Sequence, residues 1–443
     1  MLAPFGLSLP TSATPPFCPS EIRGSVSTSS GSARLARLLQ FAGPGMLIAV
    51  GYMDPGNWAT DIAAGSGYGF DLLFVVIAAS AAAVLLQSLA LRLGIGSGLD
   101  LAQACRARYS RGTTIALWLM CELAIVATDI AEVLGGALAI KLLLGLPLWA
   151  GILLTAFDML LVLGLKGRGF RQVEAIVTAL VATITLCFVI ELWIVPPNLS
   201  ALGLGLLPEL GRLQQTGALA VAIGIIGATV MPHNLYLHSN IVQTREIGID
   251  ENSKWHAIRA ANWDSGISLT VAAFVNGAIL ALAAGAFHLS GHVAVTEIDE
   301  AYRLLDPITG AKEAGLFFGI ALLASGQSST FTGTIAGQVV LEGFLDLKIP
   351  CWLRRVITRV IAVIPALIGV AWFGEHGVGA MLVATQILLS LQLPFALWPL
   401  IRIVGDRSVM GALAANTVMR GSAWALFGTI TGADLWLIVS QVA

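Results

Sequence analysis

A chain of 443 residues that is 57% hydrophobic and only 11% charged cannot clothe a soluble globule, whose charged share is roughly 25%. The formal net charge of −2 gives no electrostatic footprint for nucleic acid, and the five scattered cysteines, with no CxxC pair, argue against a disulfide framework or a thiolate metal site. An all-α integral membrane protein is the remaining class, and its 48 glycines suit close helix packing in lipid.

The first residues differ from the rest. "TSATPPFCPS" and "SVSTSSGSAR" are rich in Ser, Thr and Pro and show no period. They lack the basic start and apolar run of a signal peptide. Residues 1–38 are therefore expected to be a disordered cytoplasmic tail, or to precede the true start, and 39–443 to form one transmembrane domain.

A spanning helix needs about 20 mostly apolar residues. Eleven stretches qualify, near 41–68, 70–96, 113–140, 147–165, 173–195, 217–243, 267–289, 314–345, 353–373, 378–403 and 420–441. With the N-terminus inside, the outer connections hold only Lys141, Arg212, Arg303 and Lys312, and the other twenty basic residues fall on the cytoplasmic side. That asymmetry sets a multi-pass topology with a cytoplasmic N-terminus and an extracytoplasmic C-terminus. Short loops suggest a bacterial plasma (inner) membrane.

Two spans are interrupted in matching places. The first breaks at Asp54-Pro55-Gly56-Asn57 and the sixth around Met231-Pro232-His233-Asn234. Proline removes an amide donor and clashes with the preceding turn. The breaks open two consecutive five-span blocks, 41–195 and 217–403, with 420–441 left as an extra helix. An odd-numbered block inserts its second copy upside down, the inverted-repeat pattern of secondary transporters, whose site lies where the broken helices meet. Irregular backbone is tolerated at that depth only when buried in protein or lining a wet cavity.

The breaks offer Asp54, Asn57, His233 and Asn234, with Met231 among them and the Ala228 carbonyl one turn earlier. Oxygen ligands alone suit Mg²⁺ or Ca²⁺. A thioether favours softer transition metals, so the set points to an ion of the Mn²⁺ or Fe²⁺ class.

"DPGN", "MPHNLYLHS", "SGQSSTFTGTIAGQVVLEGF", "TRVIAVIPALI" and "LSLQLPFALWPL" resemble the Nramp family of proton-coupled divalent-metal transporters, bacterial manganese branch, from about residue 40 to the end. The resemblance implies a LeuT-type fold of eleven helices, no cofactor, and metal import by alternating access with an inward proton. It implies metal ligands at Asp54, Asn57, Met231 and the Ala228 carbonyl, plus a Gln of the tenth helix, Gln386 first and Gln392 second.

Ionisable residues inside a membrane are functional candidates. Glu122, Asp129 and Glu132 share one face of the third span, and Arg354, Arg355 and Arg359 open the ninth. The resemblance implies a proton route from Asp54 and His233 to Asp129 and Glu132, then to the ninth-helix arginines and Arg245. The other reading is a static ion-pair network, and which arginine meets which acid is open. His233 reads as a proton acceptor, with metal ligation as the second reading; His238 reads as packing or gating. Asn276, Gln327, Ser328 and Thr332 either line the pathway or hydrogen-bond between helices.

A Na⁺-coupled amino-acid or organic-solute symporter of the same fold is the main alternative. Its carboxylate substrate would meet Asp54 with like charge. A metalloenzyme would want His-rich spacing such as HExxH, which the six histidines lack; His288 and His292 read as surface beside the acidic stretch Glu297, Asp299 and Glu300, a possible cation funnel. The partners expected are divalent metal ions, protons and the bilayer, with no nucleic acid and no required protein partner.

Overall fold

The computed structural model describes residues 24, 26, 41–157, 170–215, 217–291, 295–310, 313–347, 349 and 351–442, except for the side chains at 308, 309, 351, 352, 355, 441 and 442. The helices run α1 (Pro44–Gly51), α2 (Pro55–Tyr68), α3 (Leu73–Ser97), α4 (Leu101–Arg108), α5 (Arg111–Leu144), α6 (Leu148–Thr155), α7 (Phe170–Ile194), α8 (Leu199–Gly205), α9 (Ala218–Thr229), α10 (Pro232–Ile241), α11 (Glu251–Ala283), α12 (Ile298–Thr309), α13 (Ala314–Leu345), α14 (Cys351–Phe373), α15 (Val378–Val404), α16 (Arg407–Met410) and α17 (Thr417–Val442).

Among the described residues, nine helical stretches are long and apolar enough to cross a bilayer. The first expected span is absent from that set because it is two short helices, α1 and α2, split at the break. Of the fourth, expected over 147–165, α6 covers Leu148–Thr155, and residues 158–165 lie outside those described. Most of the expected tail also lies outside them. Gly24 and Val26 are described, and they pair with the segment after α10: Gly24 N–H donates to the Gln243 carbonyl and Val26 N–H to the Thr244 carbonyl, both at 3.0 Å.

Three expectations are corrected. The seventh span, expected from 267, begins at Glu251, where the Asp250 side chain caps it by accepting the Ser253 N–H at 2.9 Å. The bilayer sets how much of a helix is apolar, not where the helix starts, and a good cap extends it into water. The acidic stretch read as a surface funnel is the N-cap and first turn of α12, where Asp299 and Glu300 meet the positive helix end. His288, read as surface, is half-buried in a π turn that continues α11, and its Nδ1 lies 2.9 Å from the Ser66 carbonyl. His292 lies outside the described residues.

The broken pairs α1–α2 and α9–α10 sit at the centre, packed by α5, α11, α13 and α15. Trp58 of α2 is fully buried, edge-on to Phe188 at 4.9 Å and to Phe318 at 5.0 Å. Rings in that geometry add about 0.5–1.5 kcal/mol beyond area burial. The extra helix α17 is anchored on α15 by Trp398, Trp424 and Phe427, with ring centroids 5.1–5.8 Å apart.

Candidate functional site

Asp54 is the N-cap of α2, and Pro55 takes the first helical position, where its missing N–H costs nothing. Asp54 Oδ1 accepts the Asn57 N–H at 2.8 Å. Asp54 Oδ2 and Asn57 Oδ1 are buried with no protein partner. The carbonyls freed by the break are taken up by neighbouring helices. Tyr52 O accepts Asn276 Nδ2 at 2.9 Å, and Met53 O accepts Ser325 Oγ at 2.5 Å and Trp58 Nε1 at 3.3 Å. Polar backbone at this depth is therefore satisfied by protein, as burial demands.

The second break is built the same way. α9 ends at Thr229, Met231 is the N-cap of α10, and Pro232 opens that helix. Ala228 would find its helical donor four residues on, but that residue is Pro232, which has no N–H. Its carbonyl is left without an intrahelical donor. Met231 is fully buried, and its Sδ accepts Asn234 Nδ2 at 3.7 Å.

Two side chains tie the breaks together. The Asn234 amide lies against Gly51 of α1, so closely that a Cβ there would overlap it. Gln386 presses its amide on Gly56 at the first break and its backbone carbonyl on Gly227 next to the second. Gln386 Nε2 donates to Thr385 Oγ1 at 2.9 Å, and Oε1 has no protein partner. Gln392 is buried further along α15 with neither amide atom partnered. No group of three His, Cys, Asp or Glu among the described residues stands together as a metal cluster. Any ion held here would therefore rest on amide, carbonyl and thioether donors around a single carboxylate.

The acids and arginines pair selectively. Arg354 Nη2 reaches both oxygens of Glu122, at 2.9 and 3.1 Å, and Trp118 Nε1 adds a bond at 3.1 Å. Arg359 Nη2 lies 3.8 Å from Glu132 Oε2, with Thr330 between them: its Oγ1 donates to Glu132 Oε2 at 3.1 Å and accepts from Arg359 Nη2 at 3.1 Å. Asp129 is buried on the same face of α5. The Arg355 side chain lies outside what is described. Arg245 is not brought to this network. It donates to Glu174 and to the Ala42 carbonyl, each at 2.8 Å.

The histidines differ. His233 is buried with Nδ1 unpartnered. His238 has both nitrogens engaged, Nδ1 at 2.9 Å from Gln87 Oε1 and Nε2 at 3.2 Å from Ser265 Oγ. Gln87 Nε2 continues the chain to the Tyr52 hydroxyl at 2.7 Å. Of the expected lining residues, Asn276 reaches the first break, and Gln327 is half-buried. The hydroxyls of Ser328 and Thr332 donate to carbonyls of their own helix, at 3.0 and 2.8 Å.

The Nramp family model (natural resistance-associated macrophage protein-like) matches residues 45–440. This chain belongs to the Nramp family. The Nramp chain is 55% identical over 436 residues to a divalent metal cation transporter MntH of Ralstonia nicotianae, covering 98% of this chain and 99% of the relative. It superposes on the Eremococcus coleocola manganese transporter with a TM-score of 0.89 at 38% identity, over 96% of this chain and 91% of that one. The amino-acid-bound transporter MhsT, 16% identical with a TM-score of 0.57 over 92% of this chain and 98% of its own, shares the LeuT-type fold alone.

Several residues of this Nramp chain escaped the sequence reading. Asp264 of α11 caps α1 from outside, accepting the N–H of Gly43 at 3.2 Å and of Gly45 at 2.6 Å. With Glu174 and Arg245 it ties the start of α1 to α7 and α11. Asp61, Glu191 and Asp434 are also buried inside spans. One signal was available for all of them: an ionisable side chain within an apolar stretch is seldom idle.

Proposed function

We propose that this chain imports Mn²⁺, Fe²⁺ and similar divalent ions across the cell membrane by alternating access, coupled to an inward proton. The carrying observation is the meeting of two broken helices through Gln386 and Asn234, around buried oxygens of Asp54 and Asn57 that no protein group satisfies. Leaving buried polar atoms unpaired costs about 1–3 kcal/mol each, which a bound cation would offset. The names of the metal-transporting relatives support the same reading.

In this reading Asp54, Asn57, Met231, Gln386 and the Ala228 carbonyl hold the ion. The sulfur of Met231 discounts Ca²⁺ and Mg²⁺, which gain nothing from a soft donor. His233, Asp129, Glu132 and Arg359 carry the proton away along α5, α13 and α14, with Glu122 and Arg354 further along. Arg245 acts instead with Glu174 and Asp264 as the cytoplasmic closure of α1. The N-terminus is cytoplasmic and the C-terminus extracytoplasmic.

The test is uptake into proteoliposomes, following internal metal and internal pH together. Mn²⁺ entry that resists excess Ca²⁺ and Mg²⁺ and acidifies the lumen supports the whole reading. Metal entry without acidification removes the proton route. No metal entry returns the organic-solute symporter.

A further inference from the structure

Helix α2 carries a second carboxylate that the metal pocket does not use. Asp61 is 1% exposed, and its Oδ2 has no hydrogen-bond partner. Among the described residues no Lys, Arg or His forms an ion pair with it. It follows Asp54 by seven residues and Asn57 by four, so all three lie along one face of the helix. At 1.5 Å per residue, Asp61 sits about 10 Å along the axis from Asp54, with Asn57 in between.

Each of these three side chains keeps one buried oxygen unsatisfied: Asp61 Oδ2, Asn57 Oδ1 and Asp54 Oδ2. Two buried carboxylates without a cation nearby repel each other and lack hydration. A divalent ion moving along that face would relieve both in turn. The far end of α2 is closed above Asp61, where Ser66 Oγ donates to the Val295 carbonyl at 2.6 Å and the Ser66 carbonyl meets His288. Asp61 thus lies between the metal pocket and that closure.

We infer that Asp61 is a second, outer cation site, which takes a divalent metal ion entering from the extracytoplasmic side and passes it by way of Asn57 to Asp54. The inference rests on the proposed transport function. It makes α2 a ladder of oxygen ligands rather than the wall of a single pocket, with Asn57 standing between the two carboxylates.

The test titrates purified protein in detergent with Mn²⁺ alone, following loss of the free-ion electron paramagnetic resonance signal. Asp54→Ala should keep a weaker Mn²⁺-binding population, and Asp54→Ala combined with Asp61→Asn should lose it. In proteoliposomes Asp61→Asn should raise the Mn²⁺ KM by about tenfold, equivalent to about 1.4 kcal/mol, and change the maximal rate far less. A merely structural role would lower the maximal rate as folded protein is lost. Should Asp61→Asn fold poorly, the smaller Asp61→Ser repeats both measurements. A wild-type KM together with no residual binding in Asp54→Ala overturns the outer site and leaves the transport reading standing. Wild-type protein that removes no Mn²⁺ from solution overturns both.

Discussion

Asp54 Oδ1 holds the N–H of Asn57 at 2.8 Å, so the residue that starts α2 after the break caps that helix with one oxygen and keeps its second, Oδ2, buried without a protein partner. Cap and candidate ligand are two atoms of one carboxylate. Asparagine caps a helix about as well as aspartate, so the roles separate by substitution. Asp54→Asn should keep the fold and lose Mn²⁺ uptake. Asp54→Ala should lose uptake and, in addition, about 1 kcal/mol of stability. Melting curves and proteoliposome uptake check the pair, and wild-type uptake by either variant would end the binding assignment.

Gly56 tests Gln386 without touching it. A methyl group at residue 56 would occupy the position of the Gln386 amide. Gly56→Ala should therefore push Gln386 aside and weaken Mn²⁺ binding by at least about tenfold, a change of about 1.4 kcal/mol. Calorimetric Mn²⁺ titration measures it. Unchanged affinity in folded Gly56→Ala would remove Gln386 from the ligand set.

Met231→Ala should keep Mn²⁺ transport and admit Ca²⁺ and Mg²⁺ as competitors, because only the sulfur distinguishes soft ions from hard ones among these donors. Competition assays decide it. The same selectivity in variant and wild type would reduce Met231 to a core residue packed with Ala124 and Leu389.

The acid and arginine pairs on α5 and α14 should matter more to protons than to metal. Asp129→Asn, and Glu132→Gln beside Thr330 and Arg359, should cut lumenal acidification by a larger factor than they cut Mn²⁺ affinity. Internal pH dye and Mn²⁺ titration are read on the same preparations. Equal losses in both would point to a static ion-pair network.

At the start of α1, which the proposed topology puts on the cytoplasmic side, Glu174→Gln leaves the guanidinium of Arg245 buried without the carboxylate it bonds. Breaking such a pair costs about 3–5 kcal/mol. α1 should then loosen from α7 and α11. An Ala49→Cys reporter, buried in the wild-type background, should react faster with a thiol reagent applied from the cytoplasmic side when Glu174→Gln is added. Identical labelling rates would show that the cluster does not hold the closure.

The breaks were legible from residues 54–57 and 231–234 because proline carries its consequence locally. Asp54, Asn57 and Met231 stand out as candidate ligands for the same local reason, whereas Gln386 came only from resemblance, with Gln392 beside it. The arginine partners were not: Arg354 and Glu122 are 232 residues apart and Arg245 and Glu174 are 71 apart, with no local pattern linking either pair. Arg245 was assigned to the proton route by resemblance, and the structure sets it beside the base of α1 instead. Thr330 was passed over because a hydroxyl in an apolar helix looks the same whether it bonds its own backbone, as Thr332 does, or bridges two charges.

By itself the sequence determined that this chain lives in a membrane, where two helices must break and which polar side chains stand at the breaks. Each of those follows from a local rule: the length of apolar runs and the missing amide of proline. Only the tertiary structure decided that Gln386 touches both breaks, that Thr330 joins Glu132 to Arg359, and that Asp264 caps a helix it does not belong to. Those contacts depend on how each helix is rotated and on its depth in the packed bundle, and no short stretch of residues encodes either.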